Sequence, residues 1–334
     1  MKSINLGMVG SGVHAETILF PSLNYVQNIN RVATCDLEPE LARKSAKQFG
    51  FDKHYTDYHS MIEEEELDGV IICINARKHP EVVIDFLKAG IDVLVEKPAA
   101  LNPDTARKML NKSKETNHFI MVDHNKRYSA AFQKMMSFVN EDKFGAPVML
   151  KSQMLGYPYE TLFTCMMEWQ IHNIDLCRAV GGDIQEVKAF RNQLTEARSA
   201  IAIMMRFENG MVGTTHWGTE GGANHGRGAG RGCESLEIVS NNERVVKMEN
   251  DRQVYYYHRN DARTWESDWS PHTHNQSYVI DGYVGVMNRF VEGVRNNTEP
   301  TPNIQDEIKA LEFIYEVADQ LSIPTDWKVV EGKS

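Results

Sequence analysis

With 334 residues, the chain is about twice the size of a usual single domain, so two domains are expected. Its 42% hydrophobic and 25% charged residues argue against a disordered chain and are ordinary for a globular protein. The formal net charge of −10 argues against nucleic acid as a partner, because phosphates attract basic surfaces, and against a polybasic membrane anchor.

The first part of the chain, to about residue 122, alternates short apolar segments with amphipathic ones. Strands that are apolar on both faces must be covered on both faces, so this alternation predicts a parallel sheet between two layers of helices. Gly50 and Gly90 stand where helix C-caps are expected. The predicted strands are Ile4–Val9, Arg31–Cys35, Asp68–Ile74, Ile91–Val95 and Phe119–Val122, and the predicted helices are Pro39–Phe49, His79–Ala89 and Pro103–Thr116.

After residue 123 the pattern changes to helices followed by several strand candidates. Helices are predicted over Ala130–Val139 and about Cys165–Val180, and a strand over Pro147–Met154. This arrangement is typical of an α+β domain with a mostly antiparallel sheet. The predicted domains are therefore 1–123 and 124–334.

The predicted strand Ala200–Phe207 is apolar on both faces. Alternate residues from Ile201 to Phe207 are large and apolar, and Ala202 and Met204 make the opposite face apolar too. One face is expected to pack on the domain's own helices and the other on a partner subunit. A homodimer or homotetramer through this sheet is predicted, although cover from within the chain would also explain the pattern.

The five cysteines are widely spaced and form no CxxC pair, so neither a disulfide framework nor a metal site is predicted. No apolar run approaches the roughly 18 residues that span a bilayer. The strand pattern begins directly after Met1, which leaves no room for a signal peptide. A cytoplasmic protein without a membrane or nucleic-acid partner is expected.

A dinucleotide-binding pattern follows the first predicted strand. Gly10, Gly12 and Ala15 match G-x-G-x-x-A, in which the glycines allow a tight turn and let backbone amides approach a pyrophosphate. Asp36 closes the next strand, where a carboxylate accepts hydrogen bonds from the adenosine ribose and repels a 2′-phosphate. The following residues, Leu37 to Pro39, include no arginine, so the predicted cofactor is NAD.

Several segments together carry a family resemblance. They are the fingerprint, Asp36, the strand ending in Glu96-Lys97-Pro98, and the later His172-Asn-Ile-Asp175. These segments resemble the glucose–fructose oxidoreductase / inositol dehydrogenase (Gfo/Idh/MocA) family. The resemblance covers most of the chain and is firmest to about residue 182. It implies a Rossmann domain followed by an α+β domain on an open-faced, mostly antiparallel sheet.

The resemblance also implies the catalytic groups. Lys97 would contact the reacting hydroxyl, where an ammonium stabilises developing alkoxide charge. Glu168, His172 and Asp175 share a helical face by their spacing. A histidine is a suitable general base near neutral pH. Glu168 would orient the substrate. The family usually has aspartate at this position, so Glu168 departs from the family pattern.

The same resemblance implies the remaining site residues. The cofactor residues would include Val13, His14, Asn75, His79 and Glu96, and the substrate residues Glu168, Asp175, Asn125, Arg127 and Tyr157. Trp217 and His272–His274 are candidate walls of the substrate cleft. The segment Gly218–Gly232 holds seven glycines and two arginines, which fits a flexible loop or a flap that contacts an anionic group.

These features predict an NAD-dependent oxidoreductase that acts on a secondary alcohol or ketone of a carbohydrate-like small molecule: a sugar, polyol, inositol or sugar derivative. A second hypothesis is an enzyme that retains NAD and uses transient oxidation to cleave a glycosidic bond. A non-catalytic nucleotide-binding regulator is a third, disfavoured by the joint presence of Lys97 and His172.

Overall fold

The structure is a computed structural model that describes residues 2–156, 158–195, 197–219, 234–259, 261–267 and 276–328. The chain divides into two compact units. The first contains residues 2–125 and 283–308, and the second contains the described residues of 126–282 and 309–328. The predicted boundary after residue 123 lies close to the change of unit after 125, whereas residues 283–308, assigned by that division to the second domain, group with the first unit.

The first unit is built on a six-stranded sheet in which every pair is parallel. The strand order β3-β2-β1-β4-β5-β6 is that of a Rossmann fold. Its strands are mostly buried, as the apolar runs predicted. They are β1 (Ile4–Val9), β2 (Ile29–Cys35), β3 (Lys53–Tyr55), β4 (Gly69–Ile72), β5 (Asp92–Glu96) and β6 (Ile120–Asp123).

Helices of this unit begin and end where local chemistry favours it. Asn102 accepts a hydrogen bond from the Thr105 amide at the start of one helix, and Gly50 adopts the left-handed conformation, with φ of 72°, after another. The helices are a π turn at Ala15–Leu19 continued by α1 (Phe20–Ser22) and a 3₁₀ turn at Leu23–Tyr25, then α2 (Pro39–Phe49), α3 (Tyr58–Glu64), α4 (His79–Lys88) and α5 (Pro103–Thr116), with a 3₁₀ turn at Asn125–Tyr128.

The second unit contains an eight-stranded sheet of order β14-β13-β12-β11-β7-β10-β9-β8. Among the described strands of this sheet, β7 and β10 alone pair in parallel, so the sheet is mostly antiparallel, as predicted. The strands are β7 (Pro147–Leu155), β8 (Ile184–Gln193), β9 (Ser199–Phe207), β10 (Val212–Gly218), β11 (Glu234–Ser240), β12 (Val245–Glu249), β13 (Gln253–His258) and β14 (Asp261–Glu266).

The strand β9 alternates strictly between buried and exposed residues. Ile201, Ile203 and Met205 are buried, whereas Met204 on the opposite face is 60% exposed. Elsewhere in this sheet, residues 171–181 pack on β7 and residues 130–139 on β12 and β13, and among the described residues Val212 is exposed on the sheet as well as Met204. The remaining helices are α6 (Ala130–Val139), α7 (Leu162–Cys165), a π turn at Met166–Gln170, α8 (Ile171–Gly181), α9 (Gln276–Ile280), α10 (Tyr283–Asn296) and α11 (Ile304–Gln320).

Four cysteines lie in the described ranges, and all four are free thiols: Cys35, Cys73, Cys165 and Cys177. Burial raises the pKa of the Cys165 and Cys177 thiols to about 12, which makes them poor nucleophiles. Across the described ranges, no helix combines the length and apolar character needed to cross a bilayer.

Candidate functional site

The glycine turn after β1 requires glycine at residue 10. Gly10 has a φ of 101°, and a Cβ added there would lie 2.0 Å from the carbonyl oxygen of Cys73. The turn leads directly into a helix, where the Glu16 amide donates to the carbonyl of Gly12 at 2.9 Å. A glycine cradle between a parallel strand and a helix fits the pyrophosphate of a dinucleotide.

Asp36 lies at the end of β2, next to this turn. One carboxylate oxygen accepts the Ser11 amide at 2.7 Å and the other accepts the Glu38 amide at 2.9 Å. The carboxylate therefore holds the glycine turn in place, and its oxygens retain lone pairs for a ribose hydroxyl. These residues fit the adenosine half of NAD.

The other predicted cofactor residues differ in accessibility. Val13 is exposed, and Asn75 is exposed with its side-chain oxygen accepting the Arg77 amide. His79 is buried, and its ring nitrogens contact the carbonyl oxygens of Pro98 at 3.0 Å and Ile74 at 3.1 Å. Burial lowers the pKa of His79. The His79 ring thereby links the segments that follow β4 and β5.

Glu96 and Lys97 lie at the end of β5. The Lys97 amide donates to one Glu96 oxygen at 3.1 Å, and the other oxygen contacts Nε2 of His14 at 3.0 Å. Burial alone would raise the pKa of Glu96, but the facing His14 and Lys97 outweigh it and hold the pKa below its usual value. Glu96 is thus an ionised, buried carboxylate beside a half-buried lysine.

The segment after Lys97 is anchored from a distant part of the chain. The Ala99 amide donates to one oxygen of Glu307 at 2.9 Å, and the other oxygen contacts Nε2 of His124 at 2.8 Å. Glu307 and His124 are fully buried. Glu307, 208 residues from Ala99, was not among the sequence-predicted site residues, and no local motif indicates it.

In the second unit, His172 lies in the first turn of α8 and is 7% exposed. A π turn precedes α8 and contains Glu168, which is partly exposed. Such turns are frequent at functional sites. The helical spacing argument therefore holds for His172 and Asp175 within α8, but the direction of the Glu168 side chain is set by the wider π turn.

Asp175 is paired with Arg127. Nε and Nη2 of Arg127 donate to the two carboxylate oxygens at 2.8 and 2.6 Å, and the Asp175 side chain is 1% exposed. A bidentate pair of this kind fixes both partners. It joins the segment after β6 to the helix that carries His172, so both residues have a structural role apart from any contact with substrate.

Asn173 fixes the other side of α8. Its side-chain oxygen accepts hydrogen bonds from Oγ1 of Thr215 at 2.7 Å and from Nε1 of Trp217 at 3.0 Å. Trp217, a candidate cleft wall, is instead buried and packs edge-on against Phe313. Sequence reasoning missed Asn173, although it stands inside the His172–Asp175 motif.

The remaining predicted site residues are Asn125 and several residues outside the described ranges. Asn125 is buried in the 3₁₀ turn that follows β6. Tyr157, His272–His274 and residues 220–232 of the glycine-rich segment lie outside the described residues. Within the described ranges, no group of three or more histidine, cysteine, aspartate or glutamate side chains could hold a metal ion.

Two parts of the chain match models of known protein families. Residues 4–124 match the model described as "Oxidoreductase family, NAD-binding Rossmann fold", and residues 132–239 match the "GFO/IDH/MocA C-terminal domain". The chain is 26% identical over 224 residues to the myo-inositol 2-dehydrogenase of Thermotoga maritima, an alignment that covers 63% of this chain and 65% of that enzyme. It is 24% identical over 307 residues to the D-apiose dehydrogenase of Paraburkholderia graminis, which covers 85% and 78% of the two chains.

A levoglucosan dehydrogenase in complex with NADH and levoglucosan shares the fold. Its structure matches with a TM-score of 0.79 at 18% identity, over 96% of this chain and 98% of that one. The two family models together span more than half of the chain, and they cover the glycine turn, Asp36, Lys97 and His172. The chain belongs to the Gfo/Idh/MocA family of NAD-binding oxidoreductases.

Proposed function

We propose that the protein is an NAD-dependent dehydrogenase that transfers a hydride between nicotinamide and a secondary alcohol or ketone of a sugar, polyol, inositol or sugar derivative. The observation that carries this proposal is the set of residues at one edge of the parallel sheet: the Gly10 turn, Asp36, and the Glu96–Lys97 pair. Similar proteins named as inositol, apiose and levoglucosan dehydrogenases support the substrate class.

NAD, when bound, supplies the hydride acceptor. Lys97 would donate a hydrogen bond to the reacting oxygen and stabilise its negative charge as the carbonyl forms. His172 would accept the hydroxyl proton, as a neutral imidazole can near pH 7. Glu168, Asn125 and Tyr157 are proposed to contact neighbouring substrate hydroxyls. Asp175 and Arg127 would act mainly by holding the His172 helix, because each already satisfies the other's charge.

We also propose that the protein is cytoplasmic and assembles as a homodimer or homotetramer through the open sheet face of the second unit. Met204, Phe190 and Val212 are exposed on the sheet, and a hollow of about 930 Å³ includes Met204 and Val212 in its lining. A patch of exposed apolar side chains is typical of a protein–protein interface.

The test is a panel of inositols, sugars and sugar derivatives, followed by NADH absorbance and by product analysis. We expect NADH to form with at least one polyhydroxylated substrate, and His172→Ala and Lys97→Ala to lower kcat by about 10² to 10⁴-fold while NAD affinity stays near its original value. Glu160→Ala, in a loop before α7, is the control and should leave kcat unchanged. Bond cleavage without net NADH would instead indicate transient oxidation, and the absence of any turnover across the panel would contradict the proposal.

A further inference from the structure

Two buried carboxyl groups face each other at the edge of the parallel sheet. Glu96 ends β5, Asp123 ends β6, and the two residues are direct partners in the register of these strands. Glu96 is 8% exposed and Asp123 only 2%. Both belong to the first unit, and Asp123 has no part in the function proposed above.

Asp123 lacks the donors that a buried carboxylate needs. Within the described part of the chain, neither Oδ1 nor Oδ2 of Asp123 accepts a hydrogen bond. By contrast, the buried carboxylate of Asp92 on the same sheet accepts the Phe119 amide and contacts the His118 ring, each at 3.0 Å. An ionised Asp123 would therefore be a buried charge without solvation, next to a second carboxylate.

The charged and titratable groups around the pair explain which carboxyl keeps the proton. The His14 ring contacts Glu96 at 3.0 Å, the charge of Lys97 acts on both carboxyls, and the charge of Glu96 acts on His79 and on the Cys73 thiol, on which Asp123 also acts. Burial raises the pKa of Asp123 well above its usual value, and the negative charge of Glu96 raises it further. Glu96 accepts the Lys97 amide and contacts the His14 ring, whereas Asp123 accepts no hydrogen bond from a described residue, so the proton belongs on Asp123, which then donates to Glu96.

We propose that Asp123 is a neutral carboxylic acid at neutral pH, that it donates its proton to Glu96, and that it is thereby a positioning residue for the Glu96–Lys97 segment. The positioning role rests on the function proposed above; the protonation state does not. A protonated Asp123 leaves a single carboxylate charge, that of Glu96, acting on the Lys97 ammonium. The shared proton also holds the Glu96 carboxylate in the orientation that receives the Lys97 amide and the His14 ring.

Infrared spectroscopy of the cofactor-free protein tests the protonation state directly. We expect a carboxylic-acid carbonyl band at pH 7 that moves on deuteration and on isotopic labelling of aspartate carboxyl carbons. Asp123→Asn should abolish it, whereas Asp92→Asn should leave it in place because the Asp92 carboxylate accepts the Phe119 amide and contacts the His118 ring. A wild-type spectrum without an aspartic-acid band would overturn the proposal, even if the variants did not fold.

Thermal unfolding as a function of pH gives a second measurement. The proposal gives Asp123 a folded-state pKa above its unfolded-state pKa of about 3.9. Below about pH 3.9 the protonated Asp123 therefore contributes its full stabilisation to the fold. As the pH rises from there toward the folded-state pKa, this stabilisation is lost. Within that window, each pH unit should cost the wild type about a factor of ten in the folding equilibrium relative to Asp123→Asn. Parallel curves for the two proteins would show that Asp123 is ionised and would contradict the proposal.

The positioning role is tested by two substitutions at one residue. Asp123→Asn can still donate to Glu96 and should keep kcat within a few-fold, whereas Asp123→Ala removes the donor and should lower kcat by about 10 to 100-fold, the usual value of a hydrogen bond to a charged group. NAD affinity should change in neither. Equal loss in both variants would overturn the positioning role. If no alcohol is oxidised by the wild type, the proposed function fails while the infrared result stands by itself.

Discussion

The two units hold their functional side chains by different means. In the first unit, Gly10, Asp36, Glu96 and Asp123 each stand at or directly after the end of a strand, and parallel strands bring these ends to one edge. In the second unit, His172 lies on a helix that long-range side-chain contacts fix to the surrounding structure. The difference shows that strand order brings the first set to one edge, whereas the position of the second is set by individual polar contacts between distant residues.

The groups that hold the functional carboxylates also differ between the two units. Asp36 accepts hydrogen bonds from the backbone amides of Ser11 and Glu38. Because backbone amides do not depend on the identity of the side chain, the position of Asp36 could be predicted from a short sequence motif. Asp175 is held by a guanidinium 48 residues earlier in the chain. A substitution in the first unit should therefore act on cofactor binding, and one in the second should act on the stability of the helix that carries His172.

The largest effect is expected at the glycine turn. Gly10→Ala would place a Cβ 2.0 Å from the Cys73 carbonyl oxygen, at a φ of 101°, so the turn must move. We predict that NAD affinity falls by about a factor of one hundred or more, the order of effect of a displacement of about 1 Å in a preorganised site.

Gly50→Ala is the matched control, because Gly50 also has a positive φ but nothing lies within 4 Å of the added Cβ. This control should lower stability by about 1–2 kcal/mol and leave NAD affinity unchanged. Calorimetric titration with NAD measures both affinities. Equal affinity in the two variants would show that the close approach at Gly10 does not shape the cofactor site.

The next effect should be found at the buried ion pair of the second unit. Arg127→Ala leaves the carboxylate of Asp175, which is 1% exposed, without its partner. Breaking such a pair costs about 3–5 kcal/mol, so the melting temperature should fall while NAD affinity is retained. Arg178→Ala, which breaks a more exposed pair with Asp183, is the control and should cost less. A similar loss in both would place the stability of the unit elsewhere.

The sequence predicted the first unit better than the second for a physical reason. Strands such as Ile4–Val9 and helices such as Pro39–Phe49 were predicted with the observed bounds, because buried parallel strands are continuously apolar and the helices carry proline and glycine at their ends. The short strand Lys53–Tyr55 was missed because it is half-polar and lies at the sheet edge.

The second unit and its site were less predictable. The π turn at Met166–Gln170 and the contacts of Asn173 depend on packing between distant residues, which a periodic pattern does not record. The resemblance made Trp217 a candidate wall of the substrate cleft, and the structure shows its indole N–H donating to the side-chain oxygen of Asn173. Asp123 stood at a predicted strand end, and that position was the available signal for it.

A smaller effect is expected at Asp36. Asp36→Ala removes the acceptor of the Ser11 and Glu38 amides and, by our proposal, of the ribose. Hydrogen bonds to a charged group are worth about 1.5–3 kcal/mol, so NAD affinity should fall by roughly ten-fold or more and the preference over NADP should narrow. Glu38→Ala, in the same segment, should leave the preference unchanged. Kinetics with both coenzymes measure this, and a wild-type preference for NADP would contradict the assignment.

The smallest effect on the folded protomer is expected at the open sheet face. Met204 is 60% exposed, so Met204→Glu should change the stability of the protomer by no more than about 0.5 kcal/mol. If this face is the interface, the new carboxylate becomes a buried charge in the assembly and the protein should dissociate at micromolar concentration. Leu37→Glu, at an apolar residue that is 86% exposed in the first unit, should leave the assembly intact. Sedimentation of the three proteins decides the matter: dissociation of the Met204 variant alone assigns the interface to the sheet, whereas a wild type that sediments as a monomer means that the open face has another use or none.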